Sequence, residues 1–150
     1  MKTVLITGAT SGIGKSTAEL LAKQGNRLII CGRRSEVLES LKSEFSQYTE
    51  VFSLKFDVRN LVEVETAINS LPEEWRNIDV LINNAGNAHG LDPLSAGKTD
   101  DWDSMIDGNV KGLLYVSKMI IPGMKERNSG HIVNISSVAA RQTYANGVVY

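Results

Sequence analysis

The stretch Thr7-Gly8-Ala9-Thr10-Ser11-Gly12-Ile13-Gly14 has the composition of an anion cradle. It follows a short apolar run, Thr3–Ile6, and opens a segment of helical period. Glycines let a backbone approach a pyrophosphate closely, and a helix N-terminus offers unpaired N–H groups and the positive end of its dipole. Gly8, Gly12 and Gly14 provide the approach, with Thr10, Ser11 and Ile13 as the other cofactor-binding candidates. The spacing is not G-x-G-x-x-G, because three residues separate the first two glycines. A second reading of these residues stays open here. Ala9 to Ser16 nearly fits the phosphate loop G-x-x-x-x-G-K-[ST], with Ala9 in place of the first glycine and Lys15-Ser16 at its end. Asp57 would then pass for a Mg²⁺-binding aspartate. In the dinucleotide reading Lys15 is a solvated first-turn lysine.

The next group bears on which dinucleotide would be held. An acidic residue about 20 positions beyond the glycine turn binds the ribose 2′-hydroxyl of NAD. Counting on from Gly14 reaches Gly32-Arg33-Arg34, with no carboxylate. A guanidinium there can form forked, charge-assisted hydrogen bonds to a 2′-phosphate. The bland alternative is a pair of surface arginines in a strand-to-helix loop. Together with the missing acid, Arg33 and Arg34 favour NADP(H) over NAD(H). Asp57-Val58, ending a third apolar run, falls where the adenine edge would lie, or is a simple strand-ending turn.

These residues need a scaffold, and the chain's pattern predicts one. Short runs rich in Val, Ile and Leu, at Thr3–Ile6, Arg27–Cys31, Val51–Phe56, Ile78–Ile82 and His131–Ile135, show little alternation. That suits strands buried on both faces. Between them lie amphipathic segments. Val37, Leu38, Leu41 and Phe45 share a helical face after a Ser35 cap, and Asn60 with Glu63 makes a capping-box-like start to another helix. A long helix runs from a Thr99 cap through Trp102, Met105, Val110 and Ile120 to a stop at Pro122-Gly123. Five strands and four helices in alternation predict a single α/β domain over residues 1–150, a doubly wound parallel sheet of Rossmann type.

Bulk properties narrow the partners. Of 150 residues 42% are hydrophobic and 22% charged, and the net charge of −1 offers no electrostatic reason to expect nucleic acid or an anionic membrane. No apolar run approaches the roughly 20 residues that span a bilayer, and the N-terminus lacks the apolar stretch of a secretory signal. One cysteine, Cys31, excludes an intramolecular disulfide. A cytoplasmic protein is the expectation.

Asn83-Asn84-Ala85-Gly86 follows the fourth apolar run, Asn109 lies within the long helix, and Ser136-Ser137 follow the fifth run. Tyr150 comes 13 residues after Ser137, whereas Tyr144 comes only seven after it. With Thr7–Gly14 these motifs, in this order and spacing, resemble the short-chain dehydrogenase/reductase family over the whole chain. The resemblance implies roles. Tyr150 is the general acid/base, Ser137 binds the substrate oxygen, and Asn109 holds a water in the proton path. Asn83, Ala85 and Gly86 shape the cofactor groove. A phenol titrates near 10 in water, so the tyrosine needs a neighbouring positive charge to act at neutral pH. The family's lysine for this task lies four residues beyond the tyrosine, past the end of this sequence. We therefore expect a chain cut after the catalytic tyrosine, poorly active by itself, from a product about 100 residues longer.

The resemblance also suggests a small-molecule alcohol or carbonyl substrate and a homo-oligomer, dimer or tetramer, at full length. The segments Trp102–Gly112 and Ile121–Asn128 resemble the branch that oxidises 3-hydroxy acids such as serine with NADP. His89, Arg141 and Gln142 are candidate substrate contacts, or solvated loop residues; His131 reads as structural. The fifth strand would be an open apolar edge, which predicts marginal stability or self-association. A non-catalytic nucleotide-binding module is the competing reading.

Overall fold

Strand β1 (Thr3–Ile6) is buried at every position and forms the centre of the molecule. In the computed structural model, which describes residues 1–150, Leu5 faces one layer of helices while Val4 and Ile6 face the other. That is why its sequence reads as an unbroken apolar run. Around it β2 (Arg27–Gly32), β3 (Val51–Lys55), β4 (Val80–Asn83) and β5 (His131–Asn134) complete a parallel sheet of order β3-β2-β1-β4-β5. The five expected strands are all present, β1 with the expected bounds and the others with one or both ends shifted by one or two residues.

The helices divide between the faces as a doubly wound fold requires. Helices α1 (Gly12–Lys23) and α2 (Ser35–Phe45) place Ala18, Ala22, Leu38, Leu41 and Phe45 against Val4, Ile6 and Ile30. On the other face α3 (Leu61–Asn69) and α5 (Gly112–Glu126) pack Val64, Ile68, Val116, Ile120 and Met124 against Leu5, Ile29 and Leu81. Each fully buried Leu, Ile or Phe contributes about 1.5–3 kcal/mol through lost water contact. The chain builds β1, β2 and β3 outward in one direction, then crosses back to lay β4 on the opposite side of β1. The reversal opens a crevice above the carboxyl ends of β1 and β4.

Three expected helix ends are corrected. Ser35 and Thr99 are first helical residues, not caps; the residues before them, Arg34 and Lys98, are extended and make no side-chain cap bond. Pro122-Gly123 does not end the long helix, which continues to Glu126. Pro122 is exposed, and the buried series Val116, Ile120 and Met124 carries the helix past it. The stop is Asn128, at φ +49°, where the N–H groups of Asn128 and Ser129 donate to Lys125 and Met124. This is the left-handed Schellman ending. The long helix is also not uniform. After α4 (Thr99–Met105) it widens to a π-helical turn over Ile106–Lys111 before α5 begins.

The Asn60 start is as expected. Its Oδ1 accepts from the N–H groups of Val62 and Glu63, and its amide donates to Glu63 at 3.0 Å. Glu63 then reaches back to the Asp57 N–H at 2.9 Å, so this cap also fixes the turn that ends β3. Replacing Asn60 with Ala should cost about 1 kcal/mol, read as a lower urea midpoint at unchanged slope.

Candidate functional site

A groove of about 790 Å³ lies over the crevice between β1 and β4. That is within the range of small-molecule and cofactor sites. Of the predicted site residues, Gly8, Thr10, Ser11, Ile13, Arg33, Arg34, Asp57, Val58, Asn83, Ala85, Gly86, Asn109, Ser137 and Tyr150 all line it. Gly12 and Gly14 belong to the same turn but do not line the groove themselves.

The floor at one end is the glycine turn. Gly8 has φ +64°, and a Cβ on it would come within 2.9 Å of the Ala85 Cα. Gly14 is closed in from two sides, since a Cβ there would run into the Gly8 carbonyl oxygen and the Asn84 amide. Gly12, at φ +53°, faces open space. Ser11 caps α1 without a side-chain bond, and the first turn holds no acidic residue. Its amide groups are therefore available to an anion, and no carboxylate opposes one. Ile13 is 63% exposed at the groove, an apolar surface beside the phosphate-sized opening. A pyrophosphate with a flat ring attached fits this arrangement. The phosphate-loop reading does not. Lys15 lies outside the groove with its Nζ 3.9 Å from Glu44, and Ser16 is exposed on α1.

Two residues of these motifs to which the sequence reading gave no role of their own hold this turn. Asn84 donates from its side-chain amide to the carbonyls of Thr7 and Gly8, at 3.0 and 3.1 Å. Thr7 Oγ1 accepts in return from the N–H groups of Asn84 and Ala85, both at 3.0 Å. The register of β1 on β4, with Ile6 opposite Ile82, brings the two turns together. No local pattern in the sequence announces that register.

Beyond the turn, Arg34 donates to Thr10 Oγ1 at 2.9 Å and to the Thr10 carbonyl at 3.3 Å. Thr10 in turn sits over Gly32, where a Cβ would meet its methyl at 2.7 Å. Arg33 is 67% exposed, and its guanidinium stays 3.8 Å from Asp57. Asp57 is bound by Arg59, which the sequence reading passed over. Arg59 donates from its main-chain N–H, from Nε and from a terminal guanidinium nitrogen, at 2.6 to 3.0 Å. Burial works to raise the Asp57 carboxyl, yet the bonds and charge of Arg59, with Arg33 adding, hold it below the usual carboxylate range. Val58 packs against Gly112, where a Cβ would approach its methyl at 2.8 Å.

At the far end Asn83 is buried and joins three elements. Its amide donates to Ser117 on α5 at 3.0 Å and to Asn134 on β5 at 2.9 Å, while its own oxygen has no partner. Asn109 lies in the π-helical turn, and its side chain grips the main chain of Asn87 through two 2.8 Å bonds. The Asn87 amide donates to the Ser104 carbonyl at 3.1 Å. Gly86 and Gly108 leave room for this clamp, since Cβ atoms there would press on Asn109 and Asn87. Ser137 Oγ accepts from the Ala139 N–H at 3.2 Å, which leaves its hydroxyl hydrogen free to donate elsewhere. Tyr150 reaches the groove and is 41% exposed, whereas Tyr144 is outside it with its ring against Gly147. His89, Arg141, Gln142 and His131 are also outside.

The model of the short chain dehydrogenase family matches residues 2–150. The chain belongs to the short-chain dehydrogenase family. Among its relatives, the NADP-dependent 3-hydroxy acid dehydrogenase YdfG of Salmonella typhi is 48% identical over 147 residues. That match covers 98% of this chain and 58% of the relative, so the chain spans under three fifths of the curated relatives it matches. Serine dehydrogenase from Escherichia coli superposes with a TM-score of 0.91 at 46% identity, over 99% of this chain and 68% of that one. The closed form of serine dehydrogenase complexed with NADP⁺ gives 0.92 at 47% identity, over 99% and 59%. No helix of the chain is long and apolar enough to cross a membrane.

Two measurements test the site as built. Gly14→Ala should push the glycine turn apart, costing about 1–3 kcal/mol in a urea melt together with nucleotide binding. Asp57, with a depressed carboxyl, stabilises the fold above its unfolded titration range. That contribution is lost as pH falls through the folded value, below the ordinary 3.8. Asp57→Asn should flatten the acid side of the stability–pH curve and leave its alkaline side unmoved.

Proposed function

We propose that the protein is an NADP(H)-dependent oxidoreductase acting between a secondary alcohol and its carbonyl, with a 3-hydroxy acid such as serine as the substrate class. The observation that carries this reading is convergence. The glycine turn, the arginine pair, and Asn109, Ser137 and Tyr150 all border one groove. Kinship with proteins named for NADP, 3-hydroxy acids and serine supports the choice of cofactor and substrate.

In this reading the amide groups at the start of α1 hold the pyrophosphate, and Asp57-Val58 border the adenine. Arg33 and Arg34 meet the 2′-phosphate. The bound nicotinamide supplies or accepts the hydride. Ser137 donates its hydroxyl hydrogen to the substrate oxygen and stabilises charge developing there. Tyr150 passes the proton to or from that oxygen. Asn109 holds a water on the proton's path with the bonding capacity its two bonds to Asn87 leave over. A homo-oligomer in the cytoplasm completes the proposal.

The test is a titration with NADPH, NADH and Mg-ATP, followed by thermal stability and nicotinamide fluorescence. A ligand at about 100 times its Kd adds roughly 2.7 kcal/mol to the folded state. Stabilisation by NADPH, weaker with NADH, is the expected result; stabilisation by Mg-ATP alone would overturn it. In a turnover assay with NADP⁺ and serine, Ser137→Ala and Tyr150→Phe should each lower kcat about 10²-fold or more at unchanged NADPH affinity.

A further inference from the structure

We propose that Arg59 sets nucleotide selectivity by occupying the Asp57 carboxylate, which leaves Arg33 free to bind a phosphomonoester on the adenosine ribose. This rests on the NADP(H) reading above and adds the residue that keeps its selectivity in place. The argument starts from competition. Two guanidinium groups approach one carboxylate, and the outcome is unequal. Arg59 uses both Asp57 oxygens, with Nε at 3.0 Å from each and a terminal nitrogen at 2.6 Å. Arg33 stops at 3.8 Å, beyond hydrogen-bonding distance, with two thirds of its side chain in solvent.

The reason is local. Arg59 is two residues from Asp57 in the same turn, and its main-chain N–H binds the same carboxylate at 3.0 Å. The turn is fixed from below by Glu63, which accepts from the Asp57 N–H. Little further ordering is needed to close the Arg59 fork, whereas Arg33 would have to be drawn in from the turn after β2. The fork of Arg59 together with its main-chain N–H takes three of the roughly four acceptor sites of the carboxylate, too few being left for a second fork. Arg34 is held at Thr10 through one terminal nitrogen, which leaves its Nε and other terminal nitrogen for the same phosphate. Arg33 makes no hydrogen bond on this rim, only the 3.8 Å ion-pair contact with Asp57. Without Arg59, Arg33 would need to move by only about an ångström to take the vacant carboxylate, and would then be withdrawn from an incoming phosphate. A lysine at position 59 would keep the charge but could not form the fork.

The experiment measures Kd for NADPH and NADH by fluorescence titration of the full chain and its variants, with a melt to establish folding. The expected result is that Arg59→Met and Arg59→Lys both reduce the NADPH-over-NADH preference by about two- to fivefold, the range of an exposed ion pair. Adding Asp57→Asn to Arg59→Lys should restore the preference, since no carboxylate remains to recapture Arg33. Asp57→Asn alone should leave it at least as strong as in the unaltered protein. Retention of the full preference in Arg59→Lys would overturn the proposal in favour of a simple field effect. So would a weakened preference in Asp57→Asn, which keeps the test decisive if a position-59 variant fails to fold. An unaltered protein with no NADPH preference would instead sink the reading of the groove, and this inference with it.

Discussion

Thr7 and Asn84 stand just past the ends of the neighbouring parallel strands β1 and β4, and four hydrogen bonds between their turns tie those ends together. The glycine turn has Gly8 and Gly12 at positive φ and would not keep that shape by propensity alone. Asn84 satisfies the two carbonyls that the turn leaves pointing sideways, and Gly14 brings α1 close enough for this to happen. The direction in which α1 presents its first amide groups follows from that clasp. So does the path of Asn84–Gly86 along the opposite wall. Both sides of the groove are thus positioned by one set of bonds at the reversal of the sheet.

Much of the architecture could be read in the sequence because it depends on burial. A parallel strand covered on both faces must be apolar at consecutive positions, and the five runs showed it. The alternation of strands and helices predicted a doubly wound parallel sheet, and the order β3-β2-β1-β4-β5 is of that kind. Helix ends were less legible. Extended Arg34 and Lys98 precede their helices without a capping bond, so composition carried no signal there. Pro122 misled because a helix stop depends on which face is buried as much as on the residue that lacks an N–H.

In the site, residues that would touch a ligand were easier to find than those that hold them. Glycines, the arginine pair, and the Ser137–Tyr150 spacing have chemical reasons to recur in a fixed order. Asn84, Asn87 and Arg59 act on main-chain atoms or on another side chain, and their partners are fixed only by tertiary register. Asn87 is the clearest case. Its main chain is gripped by Asn109 and its side chain feeds the Ser104 carbonyl, just ahead of the π-helical turn. Wide turns of this kind are common where a helix must turn a functional residue toward a site.

Cys31 lies on β2 beneath the glycine turn, where its carbonyl accepts from the Ala9 N–H. Burial pushes its thiol up, so almost no thiolate forms near neutral pH, and the sulfur belongs to the apolar layer shared with Leu54 and Phe56. Although Cys31 forms part of the groove wall, it is only 1% exposed, so an alkylating reagent can reach its sulfur only when the surrounding structure opens. The chain therefore carries one built-in clock. The rate at which Cys31 is modified reports how often the packing beneath the groove opens.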